Sequence, residues 1–277
     1  MNCIAAIQMA SGSNVQGNLT EAARLMEGAV NAGAKLIILP ENFSHMGMQE
    51  EDKIKLAETI GEGPVQEFIA EQARKNQVWI VAGTLPIKSD DSARVYASCL
   101  VFNDKGELVS RYDKYHLFDV QLTETQENYL ESKTIKAGNE LVWFDSPLGR
   151  IGVAICYDVR FPELFRKLME HNIDIFVIPS AFTATTGAAH WESLVRSRAI
   201  ENLSYVVAAN QGGYHVNGRE THGDSMIVDP WGNILDRLVR GSGFVLADID
   251  LKQIQSIRAN FPALSHRRIT IGNKNDG

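Results

Sequence analysis

Lys35-Leu36-Ile37-Ile38-Leu39-Pro40-Glu41-Asn42-Phe43 decides the reading of the fold, because the chain writes it twice. Ile175-Phe176-Val177-Ile178-Pro179 with Phe182 repeats it, and the prolines and phenylalanines share one offset of 139 residues (179 − 40 and 182 − 43). Each copy is a short apolar run stopped by proline, which reads as a strand buried on both faces. Working outward, Cys3–Met9 reads as a strand. A helix follows, with Asn18 and Glu21 as its capping box and Gly33 as its stop. Pro64 opens a second helix, reaching about Asn76. Val78–Ala82, Val95–Phe102 and Leu108–Tyr112 read as strands, the last two joined by the turn Asn103-Asp104-Lys105-Gly106.

The second half runs in the same order. Arg150–Cys156 reads as a strand, Pro162 to about Glu170 as a helix, and Ile173–Ile178 as a strand. A helix from about Ala189 to Asn202 and a strand Tyr205–Ala209 follow. Asp229-Pro230-Trp231-Gly232 then makes a second hairpin turn. Gly232 follows Gly106 by 126 residues (232 − 106), and Ser225 follows Ser98 by 127 (225 − 98). We expect an α/β fold of two related halves, each a sheet with helices on its outer face. No Ser/Gly-rich linker parts them, so residues 1–277 are expected to be one domain. The segment from about residue 260 is then a tail or an interface arm.

Composition narrows the class. The chain has 277 residues, 27 Lys plus Arg against 34 Asp plus Glu, a net charge of −7 and 44% apolar residues. These are globular proportions, and the acidic balance argues against nucleic acid or an anionic membrane as partner. No apolar run approaches a membrane span. The apolar start carries no basic residue before Arg24, so it reads as a strand rather than a leader. Cys3, Cys99 and Cys156 are odd in number and far apart. That pattern excludes a disulfide scaffold or a cysteine zinc site and suits a reducing cytoplasm. There is no phosphate-binding loop and no G-x-G-x-x-G after a strand, so no nucleotide cofactor is indicated.

Ligands of open α/β sheets gather at the carboxyl ends of strands. Glu41, Lys114 and Cys156 follow such ends. A lone cysteine is usually a small core residue, and Cys3 and Cys99 take that reading. Cys156 differs: it stands between a strand and the helix start Phe161-Pro162-Glu163-Leu164, where backbone N–H groups stabilise a thiolate. Glu41 is either a surface acid after a strand or a base whose apolar setting raises its pKa. Lys114 is either a surface lysine or a cation for an oxyanion. His215 and His222 flank Asn217-Gly218-Arg219-Glu220, whose spacing matches no zinc motif. That loop reads as solvated or substrate-facing.

Three segments together resemble the nitrilase (carbon–nitrogen hydrolase) superfamily: Leu39–Phe43, Tyr112–Asp119 and Gly152–Leu164. They occur in the order Glu, Lys, Cys across nearly the whole chain. Glu131-Ser132-Lys133-Thr134, Ser180–Glu192, Arg196–Asn202 and Gly223–Gly232 resemble the branch of deaminated glutathione amidases and omega-amidases. Asp224 departs from that pattern, where relatives often carry His. The resemblance implies a four-layer α-β-β-α sandwich and a homodimer or larger assembly, with no metal or organic cofactor. It implies hydrolysis of a small anionic amide through a thioester on Cys156. Glu41 would be the base, Lys114 the oxyanion cation, and Glu131 a support for Lys114 or the substrate amide. Tyr157, Arg160, Phe182, Thr183 and Arg219 would line the substrate site. The substrate would be a 2-oxo dicarboxylate ω-amide, deaminated glutathione first and 2-oxoglutaramate as its rival. Its carboxylates need cations, and Arg160, Arg196, Arg198 and Arg219 are candidates unless each is a structural ion pair. A non-catalytic scaffold that uses the sandwich faces is the rival of another class.

Overall fold

The computed structural model describes residues 2–122 and 127–269. The first half runs β1 (Cys3–Gln8), α1 (Val15–Asn31), β2 (Ala34–Ile38), α2 (Asp52–Lys55), α3 (Pro64–Asn76), β3 (Trp79–Lys88), β4 (Val95–Phe102) and β5 (Leu108–Asp113). A ribbon of β6 (Asp119–Leu122) and β7 (Glu127–Leu130) follows. The second half runs β8 (Trp143–Ser146), β9 (Gly149–Val153), α4 (Pro162–Leu168), β10 (Ile175–Val177), α5 (Ala184–Asn202) and β11 (Tyr205–Ala208). Next come β12 (Gly212–Tyr214) and β13 (Glu220–His222), a second ribbon, then β14 (Ser225–Val228) and β15 (Ile234–Leu238). Strand β16 (Gly243–Asp248) and α6 (Leu251–Asn260) close the described chain.

The two halves share one plan. The first sheet has the order β16-β1-β2-β3-β4-β5 and the second β15-β14-β11-β10-β9-β8. Strands β1, β2 and β3 are parallel, as are β9, β10 and β11. Two antiparallel strands extend each set on one side, and one antiparallel strand (β16 or β8) borders it on the other. The repeat expected from the proline-stopped runs is therefore a repeat of topology.

Alternation of side chains makes the layers. Ile4, Ala6, Leu36, Ile38 and Val81 join Ile151, Val153 and Val177 in one buried cluster between the sheets. The intervening Ala5, Ile7, Ile37 and Ile80 pack with Leu19, Leu25 and Met26 of α1 and Ile69 of α3. Helices α4 and α5 cover the second sheet through Leu164, Phe165, Trp191 and Val195. With both faces covered, the central strands read as unbroken apolar runs. The result is the expected α-β-β-α sandwich.

Several boundaries move. Helix α1 begins before Asn18: Asn14 is its cap and accepts from Gly17 N at 3.0 Å. Asn18 lies inside the helix, where its amide bonds Gly12 N, Gly12 O and Ser44 O. Helix α5 starts at Ala184 rather than Ala189, because Thr183 caps it. The strand expected to end at Cys156 stops at Val153, and Cys156 begins a 3₁₀ turn, Cys156–Arg160. The expected tail begins where α6 ends at Asn260. Its last residues, 270–277, lie outside the described residues.

Candidate active site

The carboxyl ends of β2, β5 and β9 deliver three charged or nucleophilic side chains to one pocket. Pro40 stops β2, and Glu41 follows, 4% exposed. The turn is tight: Asn42 has φ +58, and Gly83 (φ +37) sits where a Cβ would lie 2.0 Å from Pro40 O. Only glycine admits that approach. The Glu41 carbonyl accepts from Gln211 Nε2 at 3.0 Å. Gln211 also donates to Ser11 Oγ at 2.8 Å and accepts from Ser11 N at 3.0 Å. A glutamine after the second sheet thus ties down the glutamate after the first.

Lys114 is the residue after β5, held by its N–H to Ala97 O (3.0 Å) and by Gly138 N to its carbonyl (2.9 Å). Its ammonium is 2% exposed and spans two carboxylates. Nζ donates to Glu41 Oε1 at 2.7 Å and to Glu131 Oε1 and Oε2 at 3.0 and 2.9 Å. Glu131 opens the 3₁₀ turn Glu131–Lys133 after the first ribbon and accepts from Phe118 N at 2.7 Å.

Cys156 has φ +45, a left-handed conformation that a non-glycine residue adopts at a cost of about 1–3 kcal/mol. Its N–H bonds Pro179 O at 2.9 Å. Buried Asp158 holds the turn closed. One carboxylate oxygen accepts from Ile155 N (2.8 Å) and Tyr112 Oη (2.7 Å), the other from His116 N (3.0 Å) and His116 Nδ1 (2.8 Å). The turn bearing Cys156 and the segment bearing Lys114 are therefore clamped by one carboxylate.

The electrostatics correct two expectations. Burial works to raise the Glu41 pKa, but the Lys114 ammonium and a hydrogen bond from Cys156 outweigh it and hold the carboxyl below its ordinary value. Burial pushes the Cys156 thiol up, and the Glu41 carboxylate adds to that rise; Lys114 and the Ala181 N–H oppose them and lose. Lys114 stays an ammonium well above its ordinary pKa, since Glu131 and Glu41 overcome its burial. The resting set is thiol, carboxylate and ammonium. The turn's N–H groups do not make a standing thiolate.

Around this set lie Phe118, Tyr129, Leu130, Tyr157, Phe182 and Thr183. Thr183 is 2% exposed and spends its hydroxyl on Thr186 at 2.8 Å, so it is a helix cap as well as a pocket wall. Two of the four candidate arginines reach the pocket, Arg160 and Arg219. Arg160 lies over the Phe182 ring at 5.2 Å and the Tyr157 ring at 5.8 Å. Arg219 lies over Tyr129 at 5.1 Å and donates to Ala181 O at 2.6 Å. Arg196 and Arg198 do not reach it. Arg198 binds Val159 O and Glu201, and Arg196 binds Gly232 O and Glu192.

His215 is not solvated. It is buried between Ser11 O (2.8 Å), to which Nδ1 donates, and Thr221 Oγ1 (2.7 Å), which Nε2 meets. Asp224 pairs with Arg237 through both oxygens, which gives its departure from the family pattern a structural partner. Among the described residues no group of three His, Cys, Asp or Glu stands ready for a metal ion.

Sequence reading missed Gln211, Asp158, Phe118 and Tyr129. Gln211 was open to the rule already used for Glu41, being polar and just past a strand. Asp158 lies within Gly152–Leu164, but three of its four donors belong to Tyr112 and His116, which no spacing joins to it.

A family model described as carbon–nitrogen hydrolase matches residues 3–259. A deaminated glutathione amidase of Synechocystis sp. is 40% identical over 266 residues, covering 95% of this chain and 97% of its own. The crystal structure of the Caenorhabditis elegans NitFhit protein superposes with TM-score 0.89 at 38% identity. It covers 96% of this chain, which spans 65% of that longer one. Saccharomyces cerevisiae Nit3, a member of branch 10 of the nitrilase superfamily, superposes with TM-score 0.86 at 29% identity over 97% of both chains.

Proposed function

The chain belongs to the carbon–nitrogen hydrolase family, and from that premise we infer that it is an amidase that cleaves deaminated glutathione through a thioester on Cys156. One observation carries the mechanism: Glu41, Lys114 and Cys156 converge in a single pocket from three strand ends. The substrate rests on the likeness to relatives of that name.

Glu41 takes the Cys156 proton as the sulfur attacks the amide carbon. Because the thiol pKa lies high and the carboxyl pKa low, the proton moves with the attack rather than before it. The tetrahedral oxyanion is held by Lys114 Nζ and the Tyr157 N–H. Glu41 returns the proton to the departing amine, and the C–N bond breaks to leave the thioester. Glu41 then deprotonates a water that attacks the thioester, and the acid leaves as the thiol is restored. Glu131 orients Lys114 throughout, since it grips the ammonium through both oxygens. Arg160 and Arg219 supply the cations for an anionic substrate, with Phe182 and Thr183 as walls.

A cytoplasmic setting is supported by three free cysteines. Self-association through the outer faces of the sandwich and the segment from about 260 is supported by the exposed pair Trp231 and Phe261, 5.7 Å apart, with Ile200 also exposed.

Amine or ammonia release from deaminated glutathione, 2-oxoglutaramate and glutamine tests the reading. We expect deaminated glutathione to give the highest kcat/KM and Cys156→Ala to remove nearly all of it. Turnover that survives Cys156→Ala sinks the mechanism. A preference for 2-oxoglutaramate moves the enzyme to omega-amidase.

A further inference from the structure

Two cations of the pocket are unlike the other charged groups around them. Lys53 is neutralised by Glu50 at 2.7 Å, and Lys114 by Glu41 and Glu131. Among the described residues, neither Arg160 nor Arg219 makes an ion pair with a carboxylate. Arg160 spends its polar contact on His190 Nδ1, 3.2 Å away. Arg219 bonds Ala181 O, and its Nε is buried without an acceptor. Both side chains are half-buried, and a buried guanidinium N–H such as Arg219 Nε is costly unless a ligand supplies its acceptor. Both line the cavity that holds Cys156.

Their positions are not equivalent. Arg160 is the last residue of the turn that begins at Cys156, and it lies over Tyr157 and Phe182. The Cys156 sulfur lies within its electrostatic reach. Arg219 ends the turn between β12 and β13 and lies over Tyr129, within electrostatic reach of Glu41 and Glu50. Glu50 does not repel an anion there with its full charge, because Lys53 holds it.

The chemistry then orients the substrate. The acyl half stays on the sulfur after the C–N bond breaks. The amine half must face Glu41, which protonates it. We propose that Arg160 binds the carboxylate of the acyl half and Arg219 the carboxylate carried by the departing amine, so that the pocket is built for an amide with an anion at each end. The inference rests on the amidase reading above and deepens it. On this assignment the pocket favours an amide of a carboxylate-bearing amine over a primary amide, which leaves as ammonia and gives Arg219 nothing to hold.

The test compares deaminated glutathione with its C-terminal carboxamide, which differs only in the charge of the departing half. The unaltered enzyme should prefer the free carboxylate by about tenfold to hundredfold in kcat/KM, the worth of one charge-assisted hydrogen-bond pair. In Arg219→Gln that ratio should fall to near one, whatever happens to the absolute rate. Arg219→Lys should keep part of it. Arg160→Gln should keep the ratio while KM rises for both amides. A structural role of Arg219 through Ala181 lowers both rates and leaves the ratio intact, which overturns the proposal. So does an unaltered enzyme that ignores the carboxamide change. No hydrolysis of either amide, nor of 2-oxoglutaramate, overturns the amidase reading and this inference with it. Hydrolysis with an unmoved ratio overturns this inference alone.

Discussion

Protonation states at Glu41, Lys114 and Cys156 make a prediction about pH. As the proposed base, Glu41 works only when ionised, and Lys114 holds its pKa below the ordinary 4.5. Activity is therefore present above that depressed value and lost as pH falls through it. On the alkaline side the thiol lies above 9.0 and the ammonium above 10.5, so the resting set persists across the neutral range. We expect kcat/KM to be flat from about pH 5 to about 9. A limb near pH 6–7, the mark of a histidine partner, refutes the assignment. Glu41→Gln should lower kcat by roughly 10²–10⁴ and remove the acid limb from what remains. At this scale the meeting of Glu41, Lys114 and Cys156 in one pocket was legible: strand-end position made them candidates, and the family resemblance chose them over a surface acid and a surface lysine. Their pKa directions were not legible. Each depends on a partner 73 or more positions away, as Lys114 and Glu41 are.

Among elements, the turn Cys156–Arg160 and the end of β5 share Asp158. Asn at that position offers one carbonyl oxygen to four donors and turns its own N–H groups toward two of them. Asp158→Asn should cost about 3 kcal/mol of stability, measured by denaturant unfolding, and lower kcat more than it raises KM. Full stability and full rate in that variant refute the clamp. The helix opened by Pro64 was legible to the residue, and the strands stopped by prolines to within two residues at each end. Helix α5 was not. Its first turn, Ala184-Thr185-Thr186-Gly187, has weak helix propensity, and its start is fixed by the Thr183 cap and by packing of Gly187 on His222. The ribbons β6–β7 and β12–β13 also escaped, since each is short and half exposed and shows no sustained alternation.

For the whole molecule, the 139-residue offset foretold two sheets of one topology, because strands covered on both faces leave a period-free apolar signature that survives in sequence. Assembly leaves no such signature, and it yields a prediction instead. Light scattering should give a mass that is a multiple of 30.7 kDa. Trp231→Glu should reduce it without unfolding the chain, since that side chain is 58% exposed in the single chain. A mass of one chain for the unaltered protein refutes self-association.

The proposed base Glu41 and its cation Lys114 follow strands of the first sheet and the proposed nucleophile Cys156 a strand of the second, with Gln211 pinned across the gap to Ser11 and Glu41. Catalysis thus works as a vernier between two stacked plates. A slip of about 1 Å between them misaligns the reacting atoms while every strand stays paired. Warmth, pressure or a mutation far from the pocket can silence the enzyme through that slip, long before any spectroscopic sign of melting.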